Sequence, residues 1–439
     1  MSQVLERCGG LLASLERVRG AGLPSLGAER LDALRREALE GFLKTGLPGP
    51  KDEAWRLTNL APIAEEPFSL PEKSAPVLEA QARAVLSVWL PNRIVFVDGF
   101  FSAELSAISQ DKGVKIGVLT SLPSGETEFL EKFLRLAAEG RCGLSRLGAA
   151  LFQDGVFLKT EPRVSLNGPL QIAFLWSAAD AARMSHPLVA IEMGALSQAA
   201  VIEESAALGD AGASWRNRSA VINLSEGAQL DYCQIQTGGA RRAFESTAGI
   251  VRQAKDSRFH SHVLTFGGDL VRNDFEAVLE GEGAECVLDG LYAANGSEHV
   301  DNHTLIRHAA PRCTSRELYK GVLGGQAQAA FRGIIEVAPA AQRTDAMVYN
   351  KNLLLSEKGW VNTKPEFRIF ANDVQCKHGS TIGRLSEDAL FYLRSRGIDA
   401  ERAREFLIRA FAQEMLDSVQ PESLRAALSR RLGAPAGDD

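Results

Sequence analysis

The feature that most constrains the fold of this chain is the even spacing of turn-forming residues through its second half. From about Leu170, short runs of β-branched and apolar residues alternate with turn-forming pairs at intervals of about 11 to 18 residues. Asn295–Gly296, Ala310–Pro311, Gly324–Gly325 and Pro339–Ala340 illustrate the spacing. Because no helical pattern intervenes, the spacing favours stacked strand–turn units that bury their apolar faces on one another. We therefore predict a parallel β-helix, and spacing alone leaves a large β-sandwich or barrel as the alternative.

The segment before this region follows a different pattern. Leu31, Leu34, Leu39 and Phe42 recur at helical spacing near the N-terminus. Further along, Arg93–Gly99 has the apolar run and the turn of a buried strand. These patterns predict a mixed α/β region ahead of the repeating strands.

A helical segment is predicted after the repeating strands. Ser386 is a suitable N-cap for a first helix, Asp399 can cap a second, and Pro421 can open a third. The predicted organisation is an N-terminal helical and mixed α/β region over residues 1–165, a parallel β-helix core over 166–385 and a C-terminal helical domain over 386–439.

Composition and charge exclude several classes of function. The chain has 439 residues and a formal net charge of −6, and basic residues nowhere run together with interleaved aromatics, so we expect no nucleic-acid partner. The longest apolar stretches, such as Pro169–Trp176, are far shorter than the ~20 residues of a membrane-spanning helix. Because Met1–Arg7 lacks the basic and apolar parts of a secretory signal, we expect a cytoplasmic protein with no membrane contact.

The six cysteines do not form a recognisable framework. They are scattered irregularly along the chain, at Cys8, Cys142, Cys233, Cys286, Cys313 and Cys376, and no Cys-x-x-Cys occurs. Disulfide scaffolds and four-thiolate metal sites both draw on paired or regularly spaced cysteines. The chain is therefore not expected to close a metal or cluster site from local spacing alone.

Several catalytic motifs are absent from the sequence. It contains no Gly-x-x-x-x-Gly-Lys-Ser/Thr phosphate loop, no Gly-x-Gly-x-x-Gly between a strand and a helix, and no Gly-x-Ser-x-Gly elbow. If the protein takes part in an energy-driven process, a partner must therefore bind the nucleotide.

The histidines of the β region offer one candidate metal site. His260 and His262 are two residues apart on a predicted strand, so both rings would project from one face, as in cupin oxygenases. The cupin pattern also needs a glycine six residues before the first histidine and a glutamate after the second, where this chain has Ala254 and the apolar run Val263–Phe266. The pattern therefore favours an ordinary polar face. A metal-dependent, cupin-like enzyme that uses His260, His262 and His303 is the alternative function.

A second candidate site lies near the end of the β region. Cys376 and His378 are two residues apart, just past a predicted turn, and thiol and imidazole groups are natural ligands for iron–sulfur clusters or zinc. Two ligands do not complete a site, and a buried cysteine beside a surface histidine would give the same pattern.

Longer motifs make the sequence recognisable. Asp373–Gly383 and Asp388–Ile398 closely resemble the C-terminal signature of the SufD family, whose members are subunits of the SUF iron–sulfur cluster assembly machinery. Three further segments, Glu53–Thr58, Tyr319–Gly333 and Asn352–Pro365, match the family in order. A resemblance that spans most of the chain is far more specific than a single Cys-x-His.

This resemblance implies a fold and a set of partners. SufD-like proteins have a right-handed parallel β-helix core with helical flanks, pair through that core with the related subunit SufB, and bind the ATPase SufC through the C-terminal helical domain. The resemblance thus implies a non-catalytic scaffold subunit that assists iron entry and nascent cluster formation. It also accounts for the missing phosphate loop, because the ATPase is a separate chain. Whether the isolated chain forms a homodimer stays open.

The resemblance also assigns individual residues. His378 matches a SufD histidine at the interface with SufB, and Cys376 matches the neighbouring family cysteine. A transient iron–sulfur cluster or iron ion shared with SufB is implied, with no cofactor held stably by the isolated chain. Lys377 stands where serine is usual, and Leu57 where tyrosine is usual. We expect SufC to contact the C-terminal helical domain at Phe391, Tyr392, Arg394, Arg396, Phe406 and Phe411.

Overall fold

Two sheets wound into one coil form the centre of the molecule, with helices before and after them. The computed structural model describes residues 9–23, 25–72, 76–122, 127–139, 143–177, 181–209, 212–238 and 242–432. The predictions made for Met1–Arg7, Cys8 and Cys142 lie outside these residues.

Helices and short strands precede the coil. The helices are α1 (Gly9–Ala21), α2 (Glu29–Thr45), α3 (Ala61–Glu65), α4 (Glu79–Val85), α5 (Thr127–Ala138) and α6 (Gly143–Leu151), and the strands are β1 (Arg93–Val97), β2 (Phe100–Phe101) and β3 (Val114–Val118). Helix α2 buries Leu31, Leu34 and Phe42 on one face, as its sequence pattern predicts. It ends at Gly46, whose φ of 68° favours glycine.

The coil itself consists of strands separated by short turns. They are β4 (Gly155–Thr160), β5 (Leu170–Trp176), β6 (Arg183–Ser185), β7 (Leu188–Met193), β8 (Gln198–Ala207), β9 (Ser214–Leu224), β10 (Gln229–Thr237), β11 (Ala243–Gln253), β12 (Arg258–Phe266), β13 (Leu270–Leu279), β14 (Glu285–Ala294), β15 (His299–His308), β16 (Thr314–Leu323), β17 (Gln328–Val337), β18 (Thr344–Leu354), β19 (Trp360–Thr363), β20 (Glu366–Ile369) and β21 (Val374–Arg384). Turn residues with positive φ, such as Gly296 and Gly325, separate them.

Successive strands alternate between two sheets, which we call the front and back sheets. The front sheet has the order β2-β1-β5-β8-β10-β12-β14-β16-β18-β21, and the back sheet has the order β19-β17-β15-β13-β11-β9-β7-β4-β3, with β20 paired to β17 and β6 to β9. From β5 onward, each strand pairs in parallel with the equivalent strand in the neighbouring turn of the coil. This topology confirms the predicted parallel β-helix, because a sandwich or barrel would pair neighbouring strands along the chain.

Side chains alternate along each strand between the interior of the coil and its outer faces. Val251, Ala277, Ile306 and Ile335 form one interior column of the back sheet, in register on four neighbouring strands. The column is fully buried. Stacking equivalent positions coil after coil thus makes one continuous apolar core.

Two interior tyrosines each lie beside a glycine of the neighbouring strand, and the tyrosine ring occupies the space that a side chain would take there. Tyr319 pairs in register with Gly290, and Tyr292 pairs with Gly321. A Cβ atom on Gly290 would lie 2.2 Å from the Tyr319 ring, and one on Gly321 would lie 2.3 Å from the Tyr292 ring. Gly321, which belongs to one of the family motifs, is therefore required because the ring excludes any larger side chain.

Helices cover part of each outer face of the coil. On the back sheet, Trp215, Phe244 and Leu270 pack in one cluster with N-terminal helical residues such as Phe42 and Phe133. On the front sheet, Leu264, Leu291 and their neighbours pack against Met415 and Leu416 of the C-terminal helices. Burial of these faces fixes both helical regions on the coil.

The C-terminal helices are α7 (Glu387–Ser395), α8 (Ala400–Leu416) and α9 (Glu422–Leu432). The Ser386 hydroxyl accepts a hydrogen bond from the Ala389 N–H at 3.2 Å, and the Asp399 carboxylate accepts one from the Arg402 N–H at 2.9 Å. Both predicted N-caps are confirmed. None of the described helices is long and apolar enough to cross a membrane.

Candidate functional site

The Cys-x-His pair lies on β21, the last strand of the front sheet. Strand β21 pairs with β18 on one side, and no described strand pairs with its other edge. In this register Cys376 lies beside Ala346 and His378 beside Val348, and both of these neighbours belong to the interior core. The two side chains therefore face the interior side of the coil at its C-terminal end, on one face of one strand.

Burial and ring packing distinguish the two members of the pair. Cys376 is half-buried against the core, and this burial, together with the nearby Asp345 carboxylate, raises the pKa of its thiol. The His378 side chain is exposed, and its ring stacks on Phe367 of β20 with centroids 4.5 Å apart and planes inclined by 23°. The stacking holds the imidazole at the open end of the coil, where an incoming molecule can reach it.

The pair alone does not supply enough ligands for a metal site. Thiolate and neutral imidazole both bind iron and zinc, but such ions or clusters take four or more ligands. Within the described ranges, no third histidine, cysteine or carboxylate joins Cys376 and His378 in a potential ligand group. Completing a site at this position would require ligands from outside the described residues.

Exposed apolar side chains lie on the last turn of the coil, which also carries the pair. Phe370 is 64% exposed and Ile382 is 50% exposed, and Trp360 and Ile369 are exposed as well. Sequence reasoning missed this patch, which we call the end patch. The patch could have been predicted from the large apolar residues in the final strand–turn unit, because no further turn of the coil follows to bury them.

The C-terminal helices present a second exposed surface. Helix α7 contains no buried residue, and Phe391 and Tyr392 are 74% and 58% exposed. Phe406 on α8 is also exposed, and the Arg396 guanidinium lies 5.2 Å from the Tyr392 ring centre. Arg394 on α7 is exposed as well. These five of the six residues expected to contact SufC are thus accessible.

Phe411, the sixth of those residues, contacts another part of the same chain. Its ring lies 5.0 Å from the Lys320 ammonium, which donates a hydrogen bond of 2.7 Å to the Phe411 carbonyl oxygen. The same ammonium forms an ion pair of 2.6 Å with Glu414. Because Lys320 belongs to β16, these contacts attach α8 to the front sheet.

The histidines of the alternative enzyme hypothesis do not meet in one place. His260 and His262 project from the outer face of the front sheet, and the structure adds Asp289 to them as a third potential ligand. His303 lies instead on the back sheet, where its Nε2 is 3.1 Å from Asp301 and its side chain lines a cavity of about 350 Å³. Sequence reasoning missed Asp289 because only the coil register brings it beside His262.

The N-terminal motif segment Glu53–Thr58 contacts the coil directly. The Glu53 carboxylate pairs with Lys364 at 2.8 Å and with Arg332 at 3.3 Å. The Arg272 guanidinium lies 4.1 Å above the Trp55 ring, and Thr58 donates a hydrogen bond to Asp301. The two Glu53 contacts join motifs that are more than 250 residues apart in sequence. Together with the Trp55 and Thr58 contacts, they attach the N-terminal region to the back sheet.

Two models of known protein families together match most of the chain. A family model described as "SUF system FeS cluster assembly, SufBD core domain" matches residues 174–411, and a "SufBD protein N-terminal region" model matches residues 22–172. The core match begins within β5 and covers the rest of the coil, α7 and most of α8. The N-terminal match begins after α1 and extends through β4 into the start of β5.

Individual relatives agree with these matches. The chain is 29% identical to the iron–sulfur cluster assembly protein SufD of Escherichia coli over 410 residues, which cover 91% of each protein. It is 30% identical over 390 residues to an iron–sulfur cluster assembly SufBD family protein of Synechocystis, covering 87% of this chain and 86% of the relative. It is 24% identical to SufD of Bacillus subtilis over 415 residues, covering 91% of this chain and 92% of the relative. With its coil, its helical flanks and both regions matched, the chain belongs to the SufBD family of SUF iron–sulfur cluster assembly proteins.

Proposed function

We propose that this chain is a non-catalytic scaffold subunit of the cytoplasmic SUF machinery. In this proposal it pairs with SufB, binds the ATPase SufC, and contributes Cys376 and His378 to a nascent iron–sulfur cluster or to iron on its way into one. The observation that carries the proposal is the incomplete Cys376–His378 pair at the open end of the coil, next to exposed apolar residues.

The incompleteness of the pair supports a site shared between two chains. A cluster coordinated by the usual four protein ligands takes at most two from this strand, so the partner supplies the remainder. Burial raises the pKa of the Cys376 thiol, which keeps it protonated and unreactive in the isolated chain. Iron binding would displace this proton, because a metal-bound thiol is deprotonated.

The shape of the last coil supports pairing with another β-helix. The long strand β21 leaves its backbone groups unpaired by any described strand along one edge, and such an edge can accept a strand from a partner. The end patch around it adds apolar area that a partner would bury. SufB, which has a related core, fits both requirements.

The C-terminal helices support docking of a separate ATPase. The sequence carries no phosphate loop, and α7 exposes aromatic and arginine side chains that are characteristic of interface centres. In this proposal SufC binds α7 and the exposed face of α8.

A physical connection exists between the two proposed interfaces. Lys320 attaches α8 to β16, which pairs with β18, and β18 pairs with β21. Displacement of α8 when SufC binds ATP would therefore act on a strand two positions from Cys376 and His378. We propose that nucleotide binding shifts the population toward a conformation in which the shared site assembles.

The test is to replace His378 with alanine in cells that depend on the SUF machinery. We expect the complex with SufB and SufC to purify intact but with severalfold less iron and acid-labile sulfide, because an accessible ligand is lost. Cys376→Ser should lower the yield in the same assay. Gln375→Ala is the matched control, since Gln375 is exposed on the same strand but faces the opposite side. An unchanged cluster yield in His378→Ala would refute the assigned role of this histidine.

A further inference from the structure

Three potential metal ligands meet on the outer face of the front sheet, away from the Cys376–His378 pair. His260 and His262 project from β12, and Asp289 lies on the adjacent strand β14, in register with His262. One ligand atom from each residue lies within 4.8 Å of the others. No other group of three potential ligands this close occurs in the described ranges.

One separation within this cluster matches that of two ligands on one ion. The His260 Nε2 atom is 3.0 Å from the Asp289 Oδ2 atom, and the two imidazole ring centres are 4.2 Å apart. Two ligand atoms that each lie about 2.0 to 2.2 Å from one ion are about 3 Å apart. Because all three atoms lie within 4.8 Å of one another, only short side-chain movements separate them from one coordination sphere.

The burial of His262 provides an independent indication of a ligand. This side chain is only 4% exposed, and its Nδ1 atom has no hydrogen-bond partner among the described residues. An unpaired polar atom at this depth carries a desolvation cost unless a ligand compensates it.

The surroundings of the cluster suit a structured site. Asp231, on the other neighbouring strand, lies 3.9 Å from the Nδ1 atom of His260, on the side where metal-binding histidines commonly meet a supporting carboxylate. Two residues further along the same face, Leu264 and Leu291 pack against Met415 and Leu416. The C-terminal helices therefore pack on the same face, next to the cluster.

We propose that His260, His262 and Asp289 bind a divalent transition-metal ion of the Zn²⁺ or Fe²⁺ class, in a site separate from Cys376 and His378. Two imidazole nitrogens and one carboxylate oxygen form a donor set that both ions accept, with the remaining positions open to water. The site joins β12 to β14 beside the docked C-terminal helices.

Metal titration of the purified full-length chain tests this proposal. After removal of metal with a chelator, Zn²⁺ is titrated against a chromophoric competitor, and Fe²⁺ is titrated without oxygen. We expect one equivalent to bind at this site. Asp289→Asn, which preserves side-chain shape, and His260→Gln should each weaken binding by at least about tenfold. Saturating Zn²⁺ should also raise the melting temperature of the parent chain but not that of Asp289→Asn.

His378→Ala serves as the matched control and separates this site from the proposed cluster site. It should bind Zn²⁺ at His260, His262 and Asp289 as tightly as the parent chain does. Circular dichroism identifies any variant that fails to fold, and Asp289→Asn and His260→Gln give two independent tests. The inference is overturned if the parent chain binds no metal, if both variants bind like the parent, or if only His378→Ala loses binding.

Discussion

At the scale of single residues, the coil interior contains ionisable groups that its apolar core cannot solvate. Glu317 of β16 is 2% exposed, and burial raises the pKa of its carboxyl to about 8. Thr304 donates a hydrogen bond of 2.5 Å to one carboxyl oxygen, and the other oxygen has no partner among the described residues. The folded chain therefore holds Glu317 as a neutral acid at pH 7.

This placement predicts a pH-dependent effect of Glu317→Gln. Because the folded pKa of about 8 exceeds the ordinary value of 4.5, the folded state holds a proton that the unfolded state releases. The stability linked to this proton is complete below pH 4.5 and is lost as the pH rises to about 8. We expect Glu317→Gln to gain stability relative to the parent over this range, by up to about 1.4 kcal/mol per pH unit.

Urea unfolding at pH 5 and at pH 9 measures this difference. Glu357→Gln provides the control, because the Glu357 side chain is 90% exposed. Equal pH dependence in the parent and in Glu317→Gln would show that the buried carboxyl does not control stability in this range.

Residue-level prediction from the sequence succeeded where the relevant neighbours are close along the chain. Cys376 and His378 were selected from their spacing, and an extended strand does place both on one face. Asp289 was missed because it joins His262 only through the register of adjacent coils. That register depends on the number of residues in each turn, which hydrophobic patterns do not determine.

At the scale of secondary-structure elements, the C-terminal helices combine an attachment to the coil with an exposed surface. Phe411 and Lys320 attach α8 to the front sheet, while Phe391 on α7 and Phe406 on α8 are exposed. Substitutions at these two kinds of position should therefore have different consequences.

We predict that Phe391→Asp and Phe406→Asp each prevent co-purification with SufC without changing the melting temperature of the chain. Phe411→Asp should instead lower the stability of the chain by on the order of 2 kcal/mol, because it removes packing and a cation–π contact from α8. Affinity purification from cells that co-express SufC, together with thermal unfolding of each variant, separates the two effects. If both Phe391→Asp and Phe406→Asp still co-purify with SufC, this surface is not the SufC-binding site.

Helix ends were predictable from local chemistry, but helix environments were not. Ser386 and Asp399 are recognisable N-caps because capping involves residues within one turn. The exposure of α7 depends on which helix faces meet the front sheet, and Phe391, Phe406 and Phe411 look alike in the sequence. The position of Lys320 on β16, which contacts Phe411, distinguishes it from the other two.

At the scale of the whole molecule, the fold follows from stacking one coil on the next. Even turn spacing predicted repeated strands, and the family resemblance then favoured a β-helix over a sandwich. The structure confirms that prediction, because β10 pairs in parallel with β8 and β12, the equivalent strands in the turns before and after it. A stack of coils must end, and at its C-terminal end the last coil leaves apolar side chains exposed.

The end patch leads to a prediction about assembly. Ile382 is 50% exposed on β21, the strand that carries Cys376 and His378, so a partner paired with this edge would bury it. We expect Ile382→Lys to prevent formation of a complex with co-expressed SufB, because burying an unpaired ammonium at an interface costs several kcal/mol. If the isolated chain self-associates, the same change should make it monomeric when the two copies meet through this patch.

Leu196→Lys provides the matched control, because Leu196 is 53% exposed in a turn between β7 and β8, far along the sheets from β21. Both variants add one positive charge at a half-exposed apolar position, so general effects on solubility should be equal. Size-exclusion chromatography with light scattering reads out the complex, and thermal unfolding confirms that each variant folds. A stable SufB complex with Ile382→Lys would place the interface elsewhere, and the Cys376–His378 pair would then lose the partner proposed to complete its ligand set.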